Sequence, residues 1–243
     1  VSGGASGGVG GGVGGGVLGR LRGLAGGWAD DPAWAHVYSW SVDHPRLGST
    51  GWRLAVGSDL RLLLDAADET GTLPAGSRVL DVPCGSGVAL RGVRPGQGIE
   101  YVAADLAPAM LARTRRTAER LGVADQVTLL EADVTALPLP DGDVDRVLSL
   151  TGLHCFPDPH AAFVEMVRVL RPGGTLLGSA VLTDTGRRWE GVRRVGRASG
   201  LIGPMCSSAD LRRWADAAGL EGFTMRPSGA LAYFRGTRAR VAA

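Results

Sequence analysis

The pattern of apolar and polar positions divides the chain into an N-terminal stretch, a repeating strand–helix core and a less regular C-terminal part. Apolar runs at residues 78–82, 99–104, 127–131, 144–150 and 175–180 are short and set off by Gly, Pro or Asp. Runs of that length and setting predict buried strands. Helical spacing separates them. A helix starts in the glycine turn after the first run and reaches about Val93. Pro108 opens another to Leu121, with Met110, Leu111 and Leu121 inward and Arg113, Arg115, Arg116 and Arg120 largely outward. Residues 158–170 predict a third, stopped by R-P-G-G at 171–174. Strands alternating with helices imply an α/β fold: a mostly parallel sheet with helices on both faces.

The flanks depart from this rhythm. Residues 28–72 read as helical, with clustered Trp28, Trp34, Tyr38 and Trp40 and an apolar face of Leu54, Leu60, Leu63 and Leu64. Residues 184–208 interrupt the alternation, with Arg187, Arg188, Arg193, Arg194 and Arg197 around Trp189. For such a run a solvated face is the default. A helix then runs from Ser208 to about Ala218, with Gly219 as its stop, and residues 222–236 predict two strands about P-S-G at 227–229.

Composition sharpens the limits. Residues 1–19 carry no charge and are mostly Gly, so a disordered Gly-rich tail is expected over 1–27, ahead of a single domain at 28–243. That tail lacks the basic start of a signal peptide, and its glycines dilute the hydrophobicity a membrane span needs. The net charge of +2 gives no case for a nucleic-acid partner. All 26 basic residues are Arg, so the Gly-Lys-Ser/Thr of a triphosphate-binding loop is absent. Cys84, Cys155 and Cys206 are scattered, which predicts no disulfide framework and a cytoplasmic setting; no metal site is expected.

The chemistry gathers where the strands end. Gly85 and Gly87 follow the first strand, and glycines there would let main-chain N–H groups face a ligand. Asp81 precedes them and Asp105 closes the second strand; a carboxylate in that place can accept both hydrogen bonds of a ribose diol. A dinucleotide fingerprint would need a third glycine where Leu90 stands. The bland readings are a turn-stabilising acid at 81 and a helix cap at 105. His154, just past the fourth strand, is the candidate catalytic base, with packing or backbone bonding as its alternative.

These motifs together resemble the class I S-adenosylmethionine-dependent methyltransferases. V-L-D-V-P-C-G-S-G at 79–87 is similar to their first motif, and A-D-L-A-P-A-M-L at 104–111 to the segment after their second strand. E-A-D at 131–133, L-P-L-P-D-G-D-V-D at 137–145, L-T-G-L-H-C-F-P-D at 150–158 and R-V-L-R-P-G-G at 168–174 follow in the family's order. The likeness runs from about Arg78 to Ala180 and is greatest with the small-molecule branch that includes ubiquinone and menaquinone methyltransferases. It implies a Rossmann-like, seven-stranded sheet, S-adenosylmethionine as cofactor, and methyl transfer to an O, N or C nucleophile of a small, fairly apolar molecule, such as a secondary metabolite or quinone-like compound.

The resemblance also implies roles. Asp81 would fix the glycine turn and approach the methionine amino group; Pro83, Cys84, Gly85 and Gly87 would form the floor. Asp105 would hold the ribose, Leu106 and Met110 the adenine face, Asp133 and Val134 the adenine edge, and Leu150 and Thr151 the methionine portion. Pro83 departs from the family's glycine and removes one N–H. Tyr38, Trp40, His44, Trp189 and Met205 are the candidate substrate contacts, with 28–72 as a helical lid and 184–208 as an insertion closing the cleft. The expected assembly is a monomer or homodimer. A non-methylating protein on the same fold, such as a cyclase, a decarboxylase or a cofactor-binding subunit, is the alternative.

Overall fold

The computed structural model describes residues 45–240. The tail at 1–27, Tyr38, Trp40 and His44 lie outside the described residues. The helical stretch anticipated up to residue 72 is two helices here, α1 (Pro45–Val56) and α2 (Leu60–Asp68). They are parted at Gly57, whose φ of 67° suits glycine, and at Asp59, whose carboxylate accepts from Arg61 N–H to cap α2.

The core strands are β1 (Arg78–Asp81), β2 (Glu100–Asp105), β3 (Val127–Glu131), β4 (Val144–Leu150), β5 (Leu170–Val181), β6 (Leu220–Ser228) and β7 (Leu231–Arg238). The intervening helices are α3 (Pro108–Leu121), α4 (Pro159–Arg168), α5 (Glu190–Ala198) and α6 (Ser208–Ala217). They form one seven-stranded sheet in the order β3-β2-β1-β4-β5-β7-β6. β1 to β5 pair in parallel, while β7 runs antiparallel to both β5 and β6. The parallel architecture anticipated from the alternation is the one observed.

Neighbouring strand residues go to opposite faces, as the pleat requires. Leu80, Val102, Val147 and Leu176 pack with Phe163 and Met166 of α4 and Leu211 of α6. Val79, Tyr101, Leu148 and Leu177 pack with Leu60 and Leu63 of α2 and Leu111 of α3. Both faces are covered, which is why these strands read as continuous apolar runs rather than alternating ones.

Three local expectations are corrected. The helix expected to reach Val93 is a 3₁₀ turn, Val88–Gly92, and Gly92 lies so close to α2 that a Cβ there would meet the Ala67 carbonyl oxygen at 1.9 Å. The R-P-G-G stop is part of β5, whose pairing with β4 shifts register between Val144 and Arg146 and so absorbs the extra residues. Arg113, expected outward, is buried among Met110, Leu111 and Thr114 at the edge of the inner face of α3. Among the described residues no helix is long and apolar enough to cross a membrane.

The antiparallel end of the sheet depends on Gly178, where an added Cβ would lie 2.3 Å from the Phe234 ring. That ring also sits 6.3 Å from Phe163, centroid to centroid. Phe234→Ala should destabilise the fold by about 3–5 kcal/mol, read as a lower urea midpoint with an unchanged slope.

Candidate active site

The site is built from the turn that leaves β1. Val82 N–H donates to Leu148 O at 2.9 Å and Cys84 N–H to Ala104 O at 2.8 Å, so the turn is laced to both neighbouring strands. From α3, the Thr114 hydroxyl donates to Gly85 O and the Thr117 hydroxyl to Ser86 O, each at 2.9 Å. The remaining tie is Asp105. Its Oδ2 accepts from Gly85 N–H at 3.0 Å and its Oδ1 from Ala107 N–H at 2.9 Å.

This reassigns two expected roles. Asp105, not Asp81, holds the glycine turn; Asp81 Oδ2 instead accepts from the Tyr101 hydroxyl at 2.9 Å. Nor do the turn's amides of Cys84, Gly85 and Gly87 present themselves to a ligand. The first two are engaged as above, and Gly87 N–H donates to Cys84 O at 2.9 Å. These three donors are satisfied within the fold, and the carboxylates of Asp81 and Asp105 stand beside them in the wall.

A cavity of about 200 Å³ opens over the carboxyl ends of β1, β2 and β4. Asp81, Pro83, Cys84 and Gly85 form one side; Asp105, Leu106 and Met110 another; Asp133 and Val134 a third; Leu150 and Thr151 close it. Gly87 does not line it. Its Cβ position, at φ 78°, would meet Leu90 Cδ1 at 3.0 Å and Thr114 Cα at 3.2 Å, so glycine is needed there for packing on α3. Sequence reasoning missed Val82, Ser86, Val88, Ala89 and Ala132, and also Cys155, Phe156 and Pro157. The last three stand in the family-like segment 150–158 and could have been read from it. The bracing hydroxyls of Thr114 and Thr117, three residues apart on one helix face, carried no comparable signal.

The cavity wall is electrostatically unusual. Burial pushes the Asp81 carboxyl up to about 7; the Tyr101 hydrogen bond offsets part of that shift, and the charge of Asp105 adds to it. Burial likewise raises Asp105, against the pull of its backbone N–H donors. Asp133 is lowered, because its Oδ1 accepts from both the N–H and the hydroxyl of Thr135 at 2.8 Å. Desolvated acids with few internal cations favour a positively charged, hydroxyl-rich guest. At Gly85 an added Cβ would find nothing within 4 Å, and Leu106 is 66% exposed at the rim. An apolar rim above acidic walls suits a ligand with a flat aromatic part and a cationic part.

His154, Trp189 and Met205 are not among the cavity-lining residues. His154 is buried; desolvation pushes its imidazole down to about 4, and its Nδ1 accepts from Val181 N–H at 3.2 Å. Trp189 and Met205 pack with Val181, Ile202, Ala230 and Leu231, and the Trp189 ring lies over Gly57. The arginine run is mixed: Arg188 stacks on Trp189 with its guanidinium carbon 5.1 Å from the ring centroid. Arg193 is buried, against the expected solvated face. It bonds Glu190 Oε2 at 3.0 Å, Leu182 O at 3.3 Å and Gly186 O at 3.0 Å, so its charge is met by acceptors that fix α5 to the end of β5.

Asp81 generates a pH prediction. A carboxyl that ionises near 3.8 when free and near 7 when buried holds its proton in the folded state after the unfolded chain has lost it. Its favourable contribution is complete below pH 4 and is lost as pH rises through 7. Asp81→Asn should therefore raise the ligand-free melting temperature at pH 8, with the gain vanishing towards pH 4. Thermal scans across that range check it.

The comparisons with known proteins follow the same geometry. The family model for a methyltransferase domain matches residues 80–178, from β1 into β5. A demethylmenaquinone methyltransferase of Thermus thermophilus is 42% identical over 134 residues, which are 55% of this chain and 60% of that protein. A 27-O-demethylrifamycin SV methyltransferase of Amycolatopsis mediterranei is 34% identical over 134 residues, or 52% of this chain and 49% of that one. The chain thus spans between 49% and 60% of the length of these two relatives. Among solved structures, a geranyl diphosphate methyltransferase in complex with S-adenosylmethionine superposes with a TM-score of 0.61 at 18% identity, covering 75% of this chain and 86% of that one, a likeness of fold. Residues 80–178 thus match a methyltransferase-domain model in sequence, and the sheet shares the fold of a solved methyltransferase.

Proposed function

We propose that this chain transfers a methyl group from S-adenosylmethionine to an O, N or C nucleophile of a small, fairly apolar molecule. The observation that carries the reading is the single cavity in which Asp81, Asp105 and Asp133 meet Leu106, Met110 and Val134. The names of the two relatives support small-molecule methylation. The proposed cofactor supplies a methyl group on a positively charged sulfur.

Each side chain has a task that its geometry permits. The Asp105 oxygens accept from the Gly85 and Ala107 N–H groups, with the Leu106 N–H also acting on the carboxylate, and their remaining capacity would serve a ribose diol. Such charge-assisted bonds contribute roughly 1.5–3 kcal/mol each. Leu106 and Met110 would cover the adenine, and Asp133, held by Thr135 through one oxygen, would meet its amino edge with the other. The buried Asp81 would receive the ammonium group of the methionine portion, whose charge restores the ionised form that burial disfavours. Pro83, Cys84 and Gly85 would form the floor beneath it, with Leu150 and Thr151 alongside.

On the acceptor side, Cys155, Phe156 and Pro157 offer an apolar wall. We assign the 184–208 segment, held down by Arg193, to closure of the acceptor cleft, with Trp189 and Met205 as its packed underside. The thiols of Cys84, Cys155 and Cys206, none of them in a disulfide, fit a reducing compartment such as the cytoplasm.

Purified protein incubated with S-adenosylmethionine and a panel of quinols and phenols should release S-adenosylhomocysteine and a methylated product, both read by mass spectrometry. Tight cofactor binding without release would instead indicate a non-methylating protein. Asp105→Ala should weaken cofactor binding by about 10–100-fold through loss of charge-assisted bonds. Unchanged affinity in calorimetry would remove Asp105 from the ribose role.

A further inference from the structure

The acceptor-side wall of the cavity is suspended between β5 and the segment that follows α5. Thr151, the first residue after β4, has φ 56°, a left-handed conformation costly for a β-branched side chain. Its N–H donates to the Ser179 hydroxyl at 2.9 Å, and Ser179 is fully buried on β5. Two residues further along β5, Val181 N–H donates to His154 Nδ1 at 3.2 Å. On the other side His154 O accepts from Gly203 N–H at 2.8 Å, and the Cys155 thiol donates to Leu201 O at 3.6 Å. Thr151, Cys155, Phe156 and Pro157 line the cavity; Ser179 and His154 do not.

The hydrogen-bond direction decides what His154 can do. A backbone N–H only donates, so Nδ1 carries no proton and the neutral ring carries it on Nε2. Both nitrogens are then committed: one accepts from the backbone, the other is a donor. The ring cannot take a proton from an acceptor molecule without giving up its bond to Val181, and its burial opposes the charged form as well.

We propose that Ser179 and His154 are positioning residues that clamp the 151–157 turn to β5 and so set the acceptor-side wall, and that His154 is not the general base. The proposal rests on the methyltransferase reading for its kinetic arm and stands apart from it in its spectroscopic arm. The consequence is geometric: a wall displaced by about 1 Å can cost on the order of 10²-fold in rate for a reaction that depends on alignment.

The test compares three substitutions at one position. Asn places its Oδ1 where Nδ1 stands and can accept from Val181 N–H; Gln places its amide at the depth of Nε2; Leu offers no acceptor. His154→Leu and His154→Gln should raise the acceptor KM and lower kcat by roughly 10–100-fold with cofactor affinity unchanged; Ser179→Ala, which releases Thr151, should lower turnover and weaken cofactor binding as well; His154→Asn should restore most of the turnover with an unaltered pH profile. If His154 were a base, the Asn variant would be as impaired as the Leu variant. Nitrogen-15 NMR of the ligand-free protein, with His154→Asn to assign the signal, should report the Nε2-protonated neutral tautomer near pH 7. A ring protonated on Nδ1 or on both nitrogens overturns the proposal, as does loss of cofactor binding in step with turnover across all variants. If wild-type protein methylates no acceptor, the functional reading fails while the tautomer still decides the role of His154.

Discussion

The Asp105 carboxylate is the interaction on which the rest of the site depends. It stands at the end of β2 and receives one N–H from the glycine turn after β1 and one from the approach to α3. Two strand ends and a helix start are thereby fixed to one side chain. The turn keeps its shape because Thr114 and Thr117 then fasten its carbonyls from above. Remove the carboxylate and three elements lose their common reference, at a cost that a sheet buried on both faces cannot recover by solvation.

That arrangement inverts the usual picture of a glycine-rich turn. Where a phosphate-binding turn leaves its amides outward, this one engages those of Cys84, Gly85 and Gly87 and sets buried carboxylates in the cavity wall. Burial lifts Asp81 to about 7 and raises Asp105, so the cavity wall disfavours their charged forms and is not a prepared anion hole. The methyltransferase reading draws its strength from this polarity as much as from the motifs. A guest carrying positive charge offsets the cost of ionising these buried acids.

The sheet was legible because β1, β2, β4 and β5 are buried on both faces, and paired residues such as Val79 and Leu80 or Leu148 and Val147 need apolar side chains in succession. The cavity lining was legible through Asp81, Asp105, Asp133 and their neighbours, since they sit where parallel strands end. What stayed hidden were facts of direction and contact. Gly87 faces α3 instead of the cavity, the carboxylate that holds the turn is Asp105 instead of Asp81, and Arg193 turns inward to carbonyls. Position along the chain does not specify which lone pair meets which N–H. His154 shows this most clearly: its place after β4 is that of a base, while the single bond from Val181 makes its outer nitrogen a donor.

The internally satisfied turn has one more consequence. Its backbone is already organised before any guest arrives, so binding carries little ordering cost there and discrimination comes from refusal. A nucleotide with phosphates would bring negative charge against Asp81 and Asp105 and find the amides of Cys84, Gly85 and Gly87 already spoken for. The same adenosine bearing a cation meets no such barrier. For a phosphorylated nucleotide that wall would offer acids in place of donors, so selectivity would come from mismatch as well as from attraction.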